Sequence, residues 1–125
     1  MKVLLIILFP FFAFGQQEDT TIVDFPDVEA EFPGGQARLL NFIITNIVYP
    51  DTIEYEENPP SKFYFSFIVE KDGSITQIKN ERSSSDYYAK SHIDVLSKMP
   101  RWIPAKVNGE AVRSRCRLPI ILHYD

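Results

Sequence analysis

Apolar residues recur along this chain in two different rhythms, and the rhythms mark out its elements. From Gln36 to Asn46 the period is helical: Leu39, Ile43 and Ile47 repeat every fourth residue, and Leu40 and Ile44 widen the stripe. Phe32-Pro33-Gly34-Gly35 supplies a sharp turn into this helix, and Tyr49-Pro50 stops it, because a residue before proline is disfavoured in the α region. After an acidic connector ending in Pro59-Pro60 the period drops to two. Phe63, Phe65, Phe67 and Val69 alternate with Tyr64, Ser66, Ile68 and Glu70, Lys71-Asp72-Gly73-Ser74 turns, and Ile75 to Arg82 returns. Asp-Gly between alternating runs predicts a hairpin whose two central residues both take positive φ. A second helix is predicted over about 86–98, capped by Ser83 to Asp86 and ended by Pro100, with Ala89, Ile93, Leu96 and Met99 on one face and His92 beside them.

Trp102, Ile103 and Ala105 then lead back toward the sheet, Asn108-Gly109 turns, and an unusually long strand candidate runs from Glu110 to Tyr124. The order helix, hairpin, helix, strand predicts an α+β fold: two helices packed on one face of a small, three-stranded antiparallel sheet. The last strand is too long to be paired throughout by so small a sheet. It also carries Pro119, which cannot donate a ladder hydrogen bond and therefore belongs on an edge. An exposed edge offers its free N–H and C=O groups to another chain. Along it, Arg113, Arg115 and Arg117 share one face, while Val112, Ser114, Cys116 and Leu118 share the other and should meet the core. The arginines read either as a solvated face neutralised by nearby acids, which also protects an edge from aggregation, or as a holder for an acidic or carboxylate-bearing peptide.

The front of the chain sets the expected compartment. Lys2 precedes an apolar run over 3–14, too short at about 1.5 Å per residue to cross a bilayer core of about 30 Å. With small residues at Ala13 and Gly15, residues 1–15 read as a secretory signal peptide cleaved before Gln16, leaving no membrane-spanning segment; the alternative is an uncleaved signal acting as a weak membrane anchor. Residues 16–31 hold six acids and no Lys or Arg, and on that bias read as an acidic, flexible leader; the domain then occupies 32–125. The formal net charge of −4, which becomes −5 without Lys2, argues against nucleic-acid and anionic-membrane partners. A single cysteine, Cys116, excludes an internal disulfide framework.

Catalytic readings fare poorly. Cys116 and His123 lie seven residues apart on one presumed strand, on opposite faces and about 23 Å apart, so they form no nucleophile–base pair. Cys116 could meet His92 only through tertiary packing, and no third orienting group or oxyanion site accompanies them. Two histidines and one cysteine lack metal-ligand spacing. Gly34-Gly35 lacks the further glycines and the lysine of a phosphate cradle, and the row Phe63, Phe65, Phe67 is better a core face than a stacking platform. No catalytic residue, metal site or cofactor is expected.

Five of these pieces, in this order, resemble the C-terminal domain of TonB-like proteins of the Phe-Pro-Gly-Gly type. They are Phe32-Pro33-Gly34-Gly35, the helix ending at Tyr49-Pro50, the hairpin from Phe67 to Ile75, Ser97 to Ala105 around Pro100-Arg101-Trp102-Ile103-Pro104, and Leu118-Pro119. The resemblance covers about 32–122. It implies a periplasmic binding module associated with TonB-dependent transport, whose last strand accepts an extended peptide from an outer-membrane receptor or other envelope protein by strand addition. The partner-binding residues it implies are Val112, Arg113, Ser114, Arg115, Cys116, Arg117 and Leu118. A homodimer through the same strand stays open. TonB proteins that transmit energy usually add an uncleaved membrane helix and a long Pro-rich spacer, neither of which is present in this sequence. The competing readings are a signalling or adaptor domain without a transport role, a thiol enzyme using Cys116, and a secreted protease inhibitor of the cystatin kind. That last family's Gln-x-Val-x-Gly wedge is missing from the hairpin tip Lys71-Asp72-Gly73.

Overall fold

A computed structural model describes residues 19–48, 62–83 and 86–121. In chain order its elements are β1 (Ile22–Val23), α1 (Gln36–Asn46), β2 (Lys62–Val69), β3 (Ile75–Ser83), α2 (Asp86–Leu96), β4 (Ala105–Val107) and β5 (Glu110–Ile121). The proposed signal peptide, the 51–61 connector and His123 lie outside the described residues. The class is α+β as expected, but the sheet has five strands rather than three and is mixed rather than purely antiparallel. The two additional strands are only two and three residues long, too short for an alternation to declare itself.

The sheet runs β1-β5-β2-β3, with β4 paired to one end of β5. β2 lies between β3 and β5 and is antiparallel to both, so Phe63, Phe65 and Phe67 stand on one face at the centre of the sheet. Each of these rings is 1% exposed. Across the ladder to β5 they oppose Ile120, Leu118 and Cys116, which places the even-numbered positions of β5 on the core face. Leu39 and Ile43 of α1 and Tyr88, Ala89, Val95 and Leu96 of α2 complete this core. His92 of α2 is fully buried, its ring 4.3 Å from that of Phe63 and 5.6 Å from that of Phe65. Trp102 meets Phe67 and Phe32 edge-on, at 5.3 and 5.8 Å, the geometry that ring quadrupoles favour.

Three local expectations are corrected. Leu40 and Ile44 do not extend the buried stripe of α1; they are 47% and 71% exposed, because only the Leu39–Ile43 line faces the sheet. α2 ends at Leu96, two residues early, where Lys98 and Met99 donate to the carbonyls of Val95 and Leu96 in a tightened last turn. At the β2–β3 turn, Gly73 has a φ of 88°, while Asp72 stays out of the positive region. Gly73 N–H donates to the Glu70 carbonyl at 2.8 Å, and the Asp72 carboxylate accepts from both the N–H and the hydroxyl of Ser74. The hairpin is thus a three-residue loop with one left-handed position, not a two-residue turn. Asn108 and Gly109, at φ 52° and 80°, form the two-residue kind between β4 and β5.

Gly73 has a second task. Its carbonyl accepts the N–H of Trp102 at 2.8 Å, and a Cβ at this position would collide with the Trp102 carbonyl oxygen. That close approach ties the hairpin tip to the segment that carries Trp102 into the core.

Candidate functional site

β5 presents two unlike flanks. Its inner flank pairs with β2 without a break in register, from Lys62↔Ile121 to Val69↔Ser114. Pro119, opposite Tyr64, lacks an N–H and so keeps its place only if its nitrogen points away from β2. Donors alternate sides along a strand, so the N–H groups of Arg113, Arg115 and Arg117 also point to the outer flank.

The outer side of β5 is only partly taken. Before the ladder with β2 begins, Val112 pairs with Ala105 of β4. Arg113 and Ser114 pair in parallel with Ile22 and Val23 of β1. Among the described residues no strand pairs with 115–121 on that side. Of the seven sequence-predicted site residues, then, the structure leaves Arg115, Cys116, Arg117 and Leu118 beside an open flank, while Val112, Arg113 and Ser114 are already engaged by the chain itself.

The three arginines also divide. Arg113 is bidentate on Glu70, Nε to Oε1 at 2.6 Å and Nη2 to Oε2 at 3.2 Å, and its Nη1 donates to the Thr20 carbonyl at 2.6 Å. Thr76 Oγ1 donates to the same carboxylate at 2.5 Å. The Arg113 and Thr76 hydrogen bonds hold the Glu70 carboxyl below the usual carboxylate range. With both side chains about four-fifths buried, charge-assisted bonds of this kind contribute about 1.5–3 kcal/mol. Arg115 and Arg117 instead share the carboxylate of Asp24, at 3.3 and 3.7 Å. These contacts are more exposed and worth roughly 0–1 kcal/mol each. They can be exchanged; the Arg113 clamp cannot without loss.

Residues 19–31, the described part of the acidic leader expected over 16–31, account for these partners. The leader forms β1, places Asp24 on the arginines, accepts the Asn108 N–H on the Asp27 carboxylate at 2.9 Å, and then bridges Val28 to Lys106 and Glu31 to Ile103. Between it and β5 lies a cavity of about 450 Å³. Arg115, Cys116, Arg117, Leu118 and Pro119 form one wall, Asp24, Phe25 and Glu29 to Phe32 contribute the other, and Leu39, Phe67 and Trp102 also line it. The leader's role was hidden by its composition. The available signal was local: two β-branched residues flanked by acids, opposite a strand of alternating arginines.

Neither Cys116 nor His92 is poised for chemistry. Burial pushes the Cys116 thiol up, so it is held as the unreactive thiol rather than the thiolate. Burial pushes His92 down, only partly opposed by its ring nitrogen's contact with the Tyr88 carbonyl at 3.3 Å. It sits as a neutral ring between phenylalanines. Among the described residues no group of three or more His, Cys, Asp or Glu side chains could hold a metal ion.

Fold and flank together define a class: a two-helix α+β domain whose last strand, among the described residues, is unpaired on one side over 115–121, next to a cavity. The TonB C-terminal domains share its architecture. The chain is similar to the NMR solution structure of the Helicobacter pylori TonB C-terminal domain, with a TM-score of 0.51 and 20% identity, over 70% of this chain and 90% of that one. It is also similar to the solution NMR structure of the Pseudomonas aeruginosa TonB C-terminal domain, at TM-score 0.45 and 18% identity, over 63% and 81% of the two chains. No family model and no curated protein matches the sequence. The fold is TonB C-terminal-domain-like.

Proposed function

We propose that this chain is an exported, periplasmic peptide-binding module of the TonB type, without catalytic activity. It takes an extended peptide from an outer-membrane receptor or another envelope protein as an added strand on the outer flank of β5. The observation that carries the reading is the stretch 115–118, unpaired on that flank among the described residues and bordering the 450 Å³ cavity. Main-chain bonds to the outward groups of Arg115 and Arg117 would supply affinity, and their guanidinium groups would select a carboxylate. An inhibitor of the cystatin kind would present its hairpin tip and Trp loop to a protease. Here Gly73 and Trp102 are hydrogen-bonded to each other and the indole is buried, which favours the edge-binding reading. No helix among the described residues is long and apolar enough to cross a membrane.

The test is a titration of the full chain with synthetic peptides from periplasm-facing segments of outer-membrane receptors, followed by amide NMR shifts. Shifts should concentrate at 115–121, and Arg117→Pro should weaken binding about tenfold or more while Arg117→Ala weakens it about two- to threefold. Shifts centred elsewhere, or equal affinity for the proline variant, would rule out strand addition.

A further inference from the structure

The segment that already lies on the outer flank is the chain's own. We infer that the leader is an internal strand ligand of β5, and that a partner peptide binds by displacing it; this rests on reading β5 as a strand acceptor. β1 is itself a strand addition, parallel to β5 at Arg113 and Ser114. The residue after it, Asp24, carries its carboxylate onto Arg115 and Arg117, the positions proposed for the partner. A second strand cannot occupy 115–117 with Asp24 in place, because both would need the same guanidinium groups and the same space along the flank.

The hold is also suited to release. Only two residues join the ladder, and the chain bends away at once, leaving Phe25 89% exposed. Beyond the bend the leader is fixed independently, through Asp27 to Asn108 and Val28 to Lys106. Before it, the Asp19 carbonyl accepts from Lys71 Nζ at 2.8 Å. The short middle segment can lift while both ends stay bound. A segment so tethered competes at an effective concentration of roughly millimolar. The replacing peptide is therefore specified by what it replaces: an extended run, parallel to β5, with two apolar residues followed by a carboxylate.

The probe is a fluorescently labelled peptide with the sequence of residues 19–25, Asp-Thr-Thr-Ile-Val-Asp-Phe, measured by anisotropy against the full chain. Four proteins are compared: wild type, a leader variant with Val23→Pro and Asp24→Lys, Arg117→Pro, and all three substitutions together. Freeing the flank should tighten probe binding about tenfold. Adding Arg117→Pro should abolish that gain. If wild type and leader variant bind equally and Arg117→Pro still weakens both, displacement is wrong and the strand-acceptor reading survives. If Arg117→Pro changes nothing in either background, the acceptor reading falls and takes this inference with it. Failure of the freed flank to bind the probe shows that the leader is no transferable ligand, and overturns the inference whatever receptor peptides do. Because Val23 and Asp24 lie outside the core, melting temperatures should stay within a few degrees of wild type and serve as the folding control.

Discussion

The two flanks of β5 share one backbone and differ in almost everything that backbone meets. Toward β2 the ladder is continuous from Ser114 to Ile121 and lies over three buried phenylalanines, so each bond is shielded and each register position is fixed by packing. Away from β2 the same residues meet a two-residue strand, two exposed ion pairs and a cavity. The strong contacts are concentrated on one side and the weak ones on the other. Because donors alternate sides along a strand, the proposed binding duty would use different residues from the structural one.

Proline insertion breaks this comparison most severely. Cys116→Pro removes a donor from the inner ladder and should cost about 3 kcal/mol or more, whereas Arg117→Pro, one residue on, should cost under about 1 kcal/mol. Denaturant melts of the two variants check this, and equal losses would mean that the donor parity deduced from Pro119 is wrong. Gly73→Ala should follow at about 2–4 kcal/mol, from a left-handed φ and a collision with the Trp102 carbonyl. Near-ultraviolet circular dichroism of the single tryptophan should change with it. Glu70→Gln should cost about 1–2 kcal/mol, since it weakens the clamp on Arg113 while keeping the shape. It should also loosen β1, read as faster amide exchange at Ile22 and Val23.

The smallest effect separates core from edge by pH. His92 is kept neutral in the fold, with its folded value below the ordinary 6.5, so the unfolded chain binds its proton first. Its contribution is fully present above about 6.5 and declines as pH falls below that value. Glu70, also lowered from its ordinary 4.5, adds a second loss only below about 4.5. Melting temperature measured from pH 7 to pH 5 should therefore fall in wild type and flatten in His92→Leu, whatever that variant's absolute stability. A slope unchanged by the substitution would remove His92 as its source.

Much of the inner half was legible in the sequence because burial writes itself as periodicity. Phe63, Phe65 and Phe67 announced a core strand, and Leu39 with Ile43 announced a packed helix face. The core-facing set on β5 followed from the alternation of side chains along a strand. The outer half was not legible in the same way. Ile22 and Val23 are too few to show a period, and the acids around them suggested solvent until arginines more than ninety residues away were folded against them. Leu40 and Ile44 show the converse failure, since apolar spacing fixes a helix face without saying how much of it finds a neighbour. The Asp-Gly turn was placed correctly and its geometry was not, because the Asp72 carboxylate binds Ser74 and favours the longer loop.

Pro119 has one more implication. With nothing to donate at that point, any borrowed strand loses a main-chain bond there, and β1, until it is displaced, bars extension in the opposite direction past Ser114. With β1 in place the slot proposed for docking is about four residues long, roughly 13 Å. So short a slot admits a motif rather than a domain, and it denies a neighbouring copy the length of edge from which an open-ended stack of sheets could grow.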